Sequence, residues 1–206
     1  SRALSLIVDG KEMFSSGAGF IFDNYRYIEN DKNDRPVPVY DNGLEPVGTL
    51  AVEKGNGFVT VVTMRKGSLA DQEISYTAHS AGVVDVNVVI RPHSGHLYRT
   101  GVSCNLDGRY ENVSYYAYGP LENYSDRMSG VMLGRFTQTV DQMLYPYVKP
   151  QTTGNHEGAR EVALLDAAGK GFMIGMDGNC AFTALRYTDE ELMNAQHQWE
   201  LPASDR

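Results

Sequence analysis

The chain has 206 residues, of which 42 % are hydrophobic and 21 % charged, as in a globular protein with a buried core. Its net charge of -8 and the absence of any Lys/Arg run argue against a nucleic-acid partner, because proteins that bind nucleic acids carry basic surfaces. No stretch approaches the roughly 20 apolar residues that a membrane-spanning helix needs. Cys104 and Cys180 are too few for a disulfide framework; they could form one bridge, but two buried free thiols are the simpler interpretation.

The first half of the chain is predicted to form antiparallel strands. It opens in a strand-like run without an initiator Met or a secretory signal, which we interpret as the start of a fragment. The polar residues 29–46 predict a long surface loop. The β-branched segment 58–64 predicts a strand buried on both faces. Segments 74–78 and 84–90 flank a Ser-Ala-Gly turn, and alternating valines in the second of them predict a hairpin.

The second half repeats this pattern and ends in one helix. Strands are predicted at residues 112–118, 130–139, 160–165, 172–176 and 180–187, the last three separated by turns at 166–171 and 177–179. Thr188 lies three residues before Glu191, the spacing of a capping box, which predicts a short helix through Gln196. No linker or clear repeat is present. We therefore predict a single all-β domain over residues 1–206, an antiparallel sandwich with one short helix near its C-terminus.

Several chemistries lack the residues they need. The glycines at 17–19 lack the rest of a nucleotide-binding fingerprint and predict a turn. No G-x-S-x-G sequence is present to support serine hydrolysis. His93 and His96 have no evident third ligand, so a polar turn is favoured over a metal site.

Acidic residues in loop-like segments raise the question of a glycosidase pair, in which two carboxyl groups lie about 5 Å apart in retaining enzymes. The candidates are Glu122, Asp126, Glu157 and Glu161. The alternative is structural ion pairing, for example of Glu122 or Asp126 with Arg127, which would lock the loop geometry. We favour ion pairing and predict no catalytic residue in this chain.

Two loops, at residues 119–127 and 146–156, combine aromatic, amide and charged side chains. Sugars are bound by aromatic faces and by planar hydrogen bonds from such groups. Protein–protein contacts use Tyr and Arg in the same way. A third interpretation is that these polar loops only close the sandwich.

The same loops carry a family resemblance. GPLENYSDR at 119–127 resembles the GPxENYxDR signature of the C-terminal, small-chain domain of glycoside hydrolase family 2 β-galactosidases. YPYVKPQTTGN at 145–155, followed by Arg160, resembles the family's PYxxPQxxGN…R segment. YTDEEL at 187–192, with a later His and Glu-Leu, resembles its YTxEEL…H…EL helix, and NYRYIEND at 24–31 resembles a variant of NFWRxPTDND. Together the four matches, in family order, cover most of the chain.

The resemblance implies a galactose-mutarotase-like antiparallel supersandwich, here a fragment truncated at both ends of a larger enzyme. That enzyme would hydrolyse terminal β-D-galactosides. Its catalytic glutamates and magnesium site belong to a (β/α)8 barrel outside this chain, so the chain alone is expected to be inactive and to hold no cofactor. Its expected partners are the barrel, the other domains and, through the whole enzyme, the galactoside. The parent can form a homo-oligomer and would be cytoplasmic or periplasmic.

The resemblance also suggests roles for individual residues. Loop architecture or interdomain contact is predicted for one set: Glu122, Asn123, Tyr124, Asp126 and Arg127. A place near the sugar cleft is predicted for another: Gln151, Asn155, His156 and Arg160. The family's pocket tryptophan comes from a later segment, so Trp199 is predicted to be a packing residue.

Two alternatives remain open from the residues. The first is an independent carbohydrate-binding module. The second is a mutarotase-like epimerase, which needs a positioned acid and base. His156 with Glu157 or Glu161 is the only nearby candidate set for that chemistry.

Overall fold

The computed structural model describes residues 5–8, 10–15, 20–23, 45–48, 50–67, 70–93 and 99–203. The predicted turn at 17–19, the motif at 24–31, nearly all of the predicted loop at 29–46, and His96 lie outside the described residues. The contacts divide the chain into two compact units, the first containing the described residues as far as Asn105 and the second those from Leu106 onward. The single domain remains a prediction.

The first unit is built from antiparallel strands. They are β1 (Ile7–Val8), β2 (Lys11–Glu12), β3 (Ile21–Asp23), β4 (Glu45–Pro46), β5 (Ala51–Gly55), β6 (Phe58–Lys66), β7 (Ala70–His79), β8 (Val84–Pro92) and β9 (Gly101–Ser103). A five-stranded sheet has the order β4-β6-β7-β8, with β5 also paired to β6, while β1 pairs with β2 and β3 with β9. The predicted hairpin is confirmed as β7 and β8, whose register runs from Ala70 opposite Pro92 to Ala78 opposite Val84.

The prediction for strand β6 was only partly right. The strand is present, but it is not buried on both faces, because Val59 and Met64 are exposed while Thr63 and Arg65 are buried. The strand is hydrogen-bonded along both edges, to β4 and β5 on one side and to β7 on the other. An interior position in a sheet favours β-branched residues whether or not both faces are covered, which accounts for the misleading composition.

The second unit contains a four-stranded antiparallel sheet in the order β11-β10-β12-β13. Its strands are β10 (Asn112–Gly119), β11 (Met132–Thr139), β12 (His156–Leu165) and β13 (Gly171–Phe182). Burial alternates residue by residue along β10, so Val113, Tyr115 and Ala117 face the core. The Tyr115 ring centroid lies 5.5 Å from that of Phe136 and 5.2 Å from that of Phe182.

The predicted turn at 177–179 does not separate two strands. β13 continues through it to Phe182, and the register with β12 shifts between the pairs Ala159–Cys180 and Glu161–Gly175. The turn chemistry itself is present, since Asp177 accepts a 2.9 Å hydrogen bond from the Asn179 amide. The extra residues therefore form a bulge, and pairing resumes on both sides of it. The prediction of two strands here was wrong.

Helical structure is limited to short segments, and one of them was not predicted. The expected capping box is present: Thr188 and Glu191 cap α2 (Asp189–Asn194), which ends before Gln196. Thr139 and Gln142 form a second capping box on α1 (Val140–Met143). A 3-10 helix spans Gln198–Glu200. Among the described residues, no helix is long and apolar enough to cross a membrane. The all-β class is confirmed, and the supersandwich arrangement remains a prediction.

The two cysteines are free thiols. Cys104 is half-buried, and this burial raises the pKa of its thiol to about 11. Cys180 is exposed, so the prediction that both thiols are buried was wrong for this residue. Cys180 lies directly after the bulge on β13, which is an edge strand of the four-stranded sheet, so no further strand of this sheet covers it.

Candidate functional site

Both motif loops emerge at the same end of the second unit's sheet. The first loop follows β10 and the second precedes β12, and these two strands are antiparallel neighbours. The end of one strand therefore lies beside the start of the other. The sequence could not show this directly, because 18 residues separate the loops.

Asn123 joins the two loops through hydrogen bonds and is completely buried. Its amide nitrogen donates to the carbonyls of Tyr118 and Leu121, both at 2.9 Å. Its side-chain oxygen accepts from the Glu157 amide at 2.9 Å, and its backbone exchanges bonds of 2.8 and 2.7 Å with Asn155. Every polar atom of the side chain is thus bonded to protein, as burial requires.

Glu122 is the second and charged connection between the loops. Its carboxylate is almost completely buried, with a side chain that is 3 % exposed. One oxygen accepts from the Thr153 hydroxyl at 3.1 Å and from the Gly154 amide at 2.7 Å. The other oxygen accepts from the Arg127 guanidinium and the Tyr147 hydroxyl. A buried carboxylate persists only with such complete bonding, because desolvation otherwise disfavours the charge.

Gly154 allows the backbone to approach this carboxylate. It has φ of +72°, and a Cβ at this position would lie 2.6 Å from the Met143 carbonyl oxygen. Any other residue would therefore be strained and would displace the amide that donates to Glu122.

Arg127 and Tyr124 form the outer edge of the network. The Arg127 guanidinium carbon lies 5.3 Å from the Tyr124 ring centroid, and the guanidinium donates to the Tyr147 hydroxyl at 3.1 Å. The Tyr124 hydroxyl donates to the Thr152 carbonyl at 3.4 Å. Glu122, rather than Asp126, is the ion-pair partner of Arg127. Asp126 is exposed, and no hydrogen bond or ion pair with the described part of the chain involves its side chain.

His156 lies in the interior of the second unit. It is buried, its Nδ1 is 2.9 Å from the Tyr118 carbonyl oxygen, and its ring lies 4.8 Å from that of Tyr115 and 5.3 Å from that of Phe182. Burial lowers the pKa of His156 below its usual 6.5, so the ring is neutral at neutral pH. Among the described contacts, none joins it to Glu157 or Glu161.

Arg160 is the cleft candidate that lies beside an aromatic ring on the other face of the sheet. Its guanidinium carbon is 5.5 Å from the Tyr116 ring centroid, and its Nη1 donates to the Gly158 carbonyl at 2.8 Å. Arg135 lies 4.9 Å from the same ring and pairs with Glu161 at 2.5 Å. Tyr116 is therefore flanked by two guanidinium groups.

The other residues predicted to lie near the sugar cleft are not part of the cluster of Tyr116 and Arg160. The side-chain nitrogen of Asn155 donates to the Asn123 carbonyl at 2.7 Å and to the Glu157 carboxylate at 3.0 Å. Gln151 is half-buried in the second loop. The structure thus brings Asn155 and His156 into the Asn123 and Glu122 networks, while Arg160 lies apart on the sheet surface.

Two contributors were not identified from the sequence. Tyr147 and Thr153 supply hydroxyls to Glu122, and both lie inside the quoted loop. The loop contains several tyrosines and threonines, and no spacing rule indicates which hydroxyl reaches a carboxylate about thirty residues away in sequence. The prediction for Trp199 was wrong: its ring is exposed and stacks on His197 rather than packing into a core.

No predicted site residue lines the cavity found elsewhere in the second unit. The cavity, of about 220 Å³, lies beside α1 and is lined by Val140, Asp141, Leu144, Arg186 and Tyr187. Arg186 and Asp141 form an ion pair at 2.5 Å on its wall. Within the described ranges, no group of three or more His, Cys, Asp or Glu is placed to hold a metal ion.

Removing the charge of Glu122 should destabilise the second unit. We expect Glu122→Gln to lower the free energy of unfolding by about 1.5–3 kcal/mol, because the buried carboxylate loses the charge that strengthens its hydrogen bonds to protein donors, while the half-exposed Arg127 stays solvated. Urea denaturation followed by circular dichroism measures this change.

Asp126→Asn is the matched control, since it removes the same charge from an exposed position of the same loop. It should change stability by less than about 0.5 kcal/mol. Equal effects of the two substitutions would contradict the role given to Glu122.

His156 should make stability depend on pH. Its folded pKa lies below 6.5, so below this value the unfolded chain binds a proton more readily than the folded one. The contribution of the neutral His156 ring to the free energy of unfolding is fully present above pH 6.5. It is lost as the pH falls through 6.5 towards the folded pKa. A pH titration of the His156 ring by NMR should give a midpoint below 6.5. A midpoint at or above 6.5 would contradict the burial argument.

Comparison with known proteins agrees with the motifs. The family described as "Beta galactosidase small chain" matches residues 2–206. A β-galactosidase of Halalkalibacterium halodurans is 32 % identical over 216 residues, covering 97 % of this chain and 21 % of the relative. β-Galactosidase BgaC of Bifidobacterium adolescentis is 30 % identical over 193 residues, covering 90 % and 18 %. A β-galactosidase of Streptococcus thermophilus is 32 % identical over 152 residues, covering 65 % and 15 %.

The chain therefore spans between 15 % and 21 % of the length of these relatives. The matched residues include all three motifs whose structure is described, namely the two loops and the capped helix. On this evidence, the chain belongs to the β-galactosidase small chain family.

Proposed function

We propose that this chain is a non-catalytic domain of a family 2 β-galactosidase, in which it forms part of the wall around the active site. The complete enzyme would hydrolyse terminal β-D-galactosides with retention of configuration, using glutamates and magnesium of a separate barrel domain. The family match and the 15–21 % share of the relatives' length support a part of a larger enzyme.

The proposal rests on one observation: both oxygens of the Glu122 carboxylate accept hydrogen bonds from groups of the fold. All of its four donors are protein groups. A glycosidase needs one carboxyl group that can donate a proton and a second that faces the sugar. Glu157 accepts from Asn155, Glu161 pairs with Arg135, and His156 is buried. Of the acid–base candidates only the exposed Asp126 has no described partner, and a single carboxyl group does not make the required pair. The loops are therefore best suited to holding a shape.

Arg160 supports the finer proposal that this domain contacts the sugar cleft. Its guanidinium lies against Tyr116, and its Nη1 bond to Gly158 fixes its direction. An oriented guanidinium beside an aromatic ring can bind sugar hydroxyls through planar hydrogen bonds. For His156 the cleft role has less support, because the ring is buried against Phe182.

The first experiment separates a structural domain from an active or sugar-binding one. Isothermal titration of the purified chain with galactose and lactose should give no heat of binding, and the chain should not hydrolyse nitrophenyl-galactoside. The assembled enzyme should hydrolyse it. Binding without turnover would favour a carbohydrate-binding module, and turnover by the chain alone would overturn the proposal.

Arg160→Ala in the assembled enzyme tests the cleft contact. Losing a charged hydrogen bond to the substrate costs about 1.5–3 kcal/mol, so kcat/KM should fall roughly 10- to 150-fold. Arg135→Ala is the matched control, because it removes the other guanidinium from the same Tyr116 ring. Unchanged kcat and KM in the Arg160 variant would reject the cleft assignment.

A further inference from the structure

The only tryptophan of the chain stands out on the surface of the second unit. Trp199 is 78 % exposed, although a tryptophan side chain is large and mainly apolar. The loop that contains Tyr147 carries two more exposed residues, Tyr145 at 49 % and Val148 at 90 %. We call Tyr145, Val148 and Trp199 the Trp199 patch. Its two segments are joined directly, because the Gln198 side chain donates to the Tyr147 carbonyl at 2.6 Å.

The patch is held in place by bonds on its inner side. The Trp199 ring stacks on the His197 ring, with centroids 4.1 Å apart and planes 9° from parallel. His197 is in turn fixed by Glu200 at 2.9 Å. Tyr147, between Tyr145 and Val148, donates to the buried Glu122 carboxylate. An aromatic ring fixed in this way loses little conformational entropy on binding, which favours affinity.

The charged groups beside the patch are already occupied. The Lys149 ammonium donates to the carbonyls of Met193, at 2.7 Å, and Ala195. Both oxygens of Glu200 are engaged, one with His197 and the other with the Gln196 amide at 2.7 Å. A sugar site needs polar groups that can turn to the hydroxyls, whereas here the charged groups are committed to the fold. An apolar protein surface fits this chemistry better.

We propose that the Trp199 patch is the anchor by which this domain docks on another domain of the same β-galactosidase. The proposal rests on the proposed function, since it requires a larger enzyme. The relatives are about five to seven times as long as the matched segment, so most of each relative lies outside it. Tryptophan and tyrosine at the centre of an interface carry a large share of its binding energy.

Footprinting tests whether the patch is covered. Trp199 should be oxidised by hydroxyl radicals at least about tenfold more slowly in the assembled enzyme than in the chain alone, because a hot-spot side chain is fully desolvated on docking. Met132, exposed on β11 outside the patch, provides the internal reference within each sample. Equal protection of Trp199 and Met132, or no protection of Trp199, would overturn the proposal.

A substitution tests whether the patch contributes to assembly. Trp199→Ala should leave the urea midpoint of the chain alone unchanged, because the ring is exposed there. In the assembled enzyme it should speed inactivation in urea by about 30-fold or more, the rate equivalent of a hot-spot loss. Met132→Ala is the matched control and should change neither quantity. Equal inactivation rates of the Trp199 variant and the unsubstituted enzyme would reject the anchor.

The fluorescence of the single tryptophan distinguishes the other occupant. Saturable quenching or enhancement when galactose or lactose is added to the chain would identify a sugar site and overturn the docking proposal. A separate result tests the proposed function: it is rejected if the assembled enzyme does not hydrolyse galactosides, whatever these experiments show about Trp199. Protection of Trp199 in an enzyme without that activity would retain the anchor and reject the function.

Discussion

The organisation of the second unit depends on the hydrogen bonds and the ion pair that the buried Glu122 carboxylate makes. A charge removed from water needs several donors at once, and here they come from both loops: Arg127 from the same loop, and Tyr147, Thr153 and the Gly154 amide from the second. These donors meet only if β10 and β12 pair in their observed register. The network therefore couples the positions of two loops to the pairing of two strands. Asn123 adds uncharged bonds between the same segments.

This coupling changes the meaning of the two motifs. Acidic, aromatic and amide residues close together are the composition of a sugar-cleaving site, and composition alone does not separate that role from a structural one. The structure separates them by accessibility: Glu122 and His156 face inward, while Asp126 is in solvent without a described partner. The groups that face outward near these loops are instead the Trp199 patch and the Arg160 guanidinium on the neighbouring sheet face. Both suit a domain that works as part of a larger enzyme.

The prediction of strands succeeded where the alternation of apolar residues was regular. Burial along β10 follows the two-residue period, and α2 follows its capping box; β8 is present as predicted, although its Val84 and Val86 are exposed. The prediction of strands failed where one sequence pattern was compatible with two different structures. The Asp177 turn could end a strand or bulge from it, and only the pairing of β12 with both halves of β13 decides. The helix α1 was missed although Thr139 and Gln142 have the spacing of a capping box, because four residues are too few for a periodic pattern to support that signal.

The sequence by itself determined the class of the fold, the local caps and turns, and the family, because these depend on short-range spacing and on motifs read in order. The tertiary structure decided which carboxylate meets Arg127, which hydroxyls reach Glu122, and that Trp199 is exposed rather than packed. These outcomes depend on contacts between residues far apart in the chain. The burial of a side chain is set by what the rest of the fold places against it, and no local pattern encodes that.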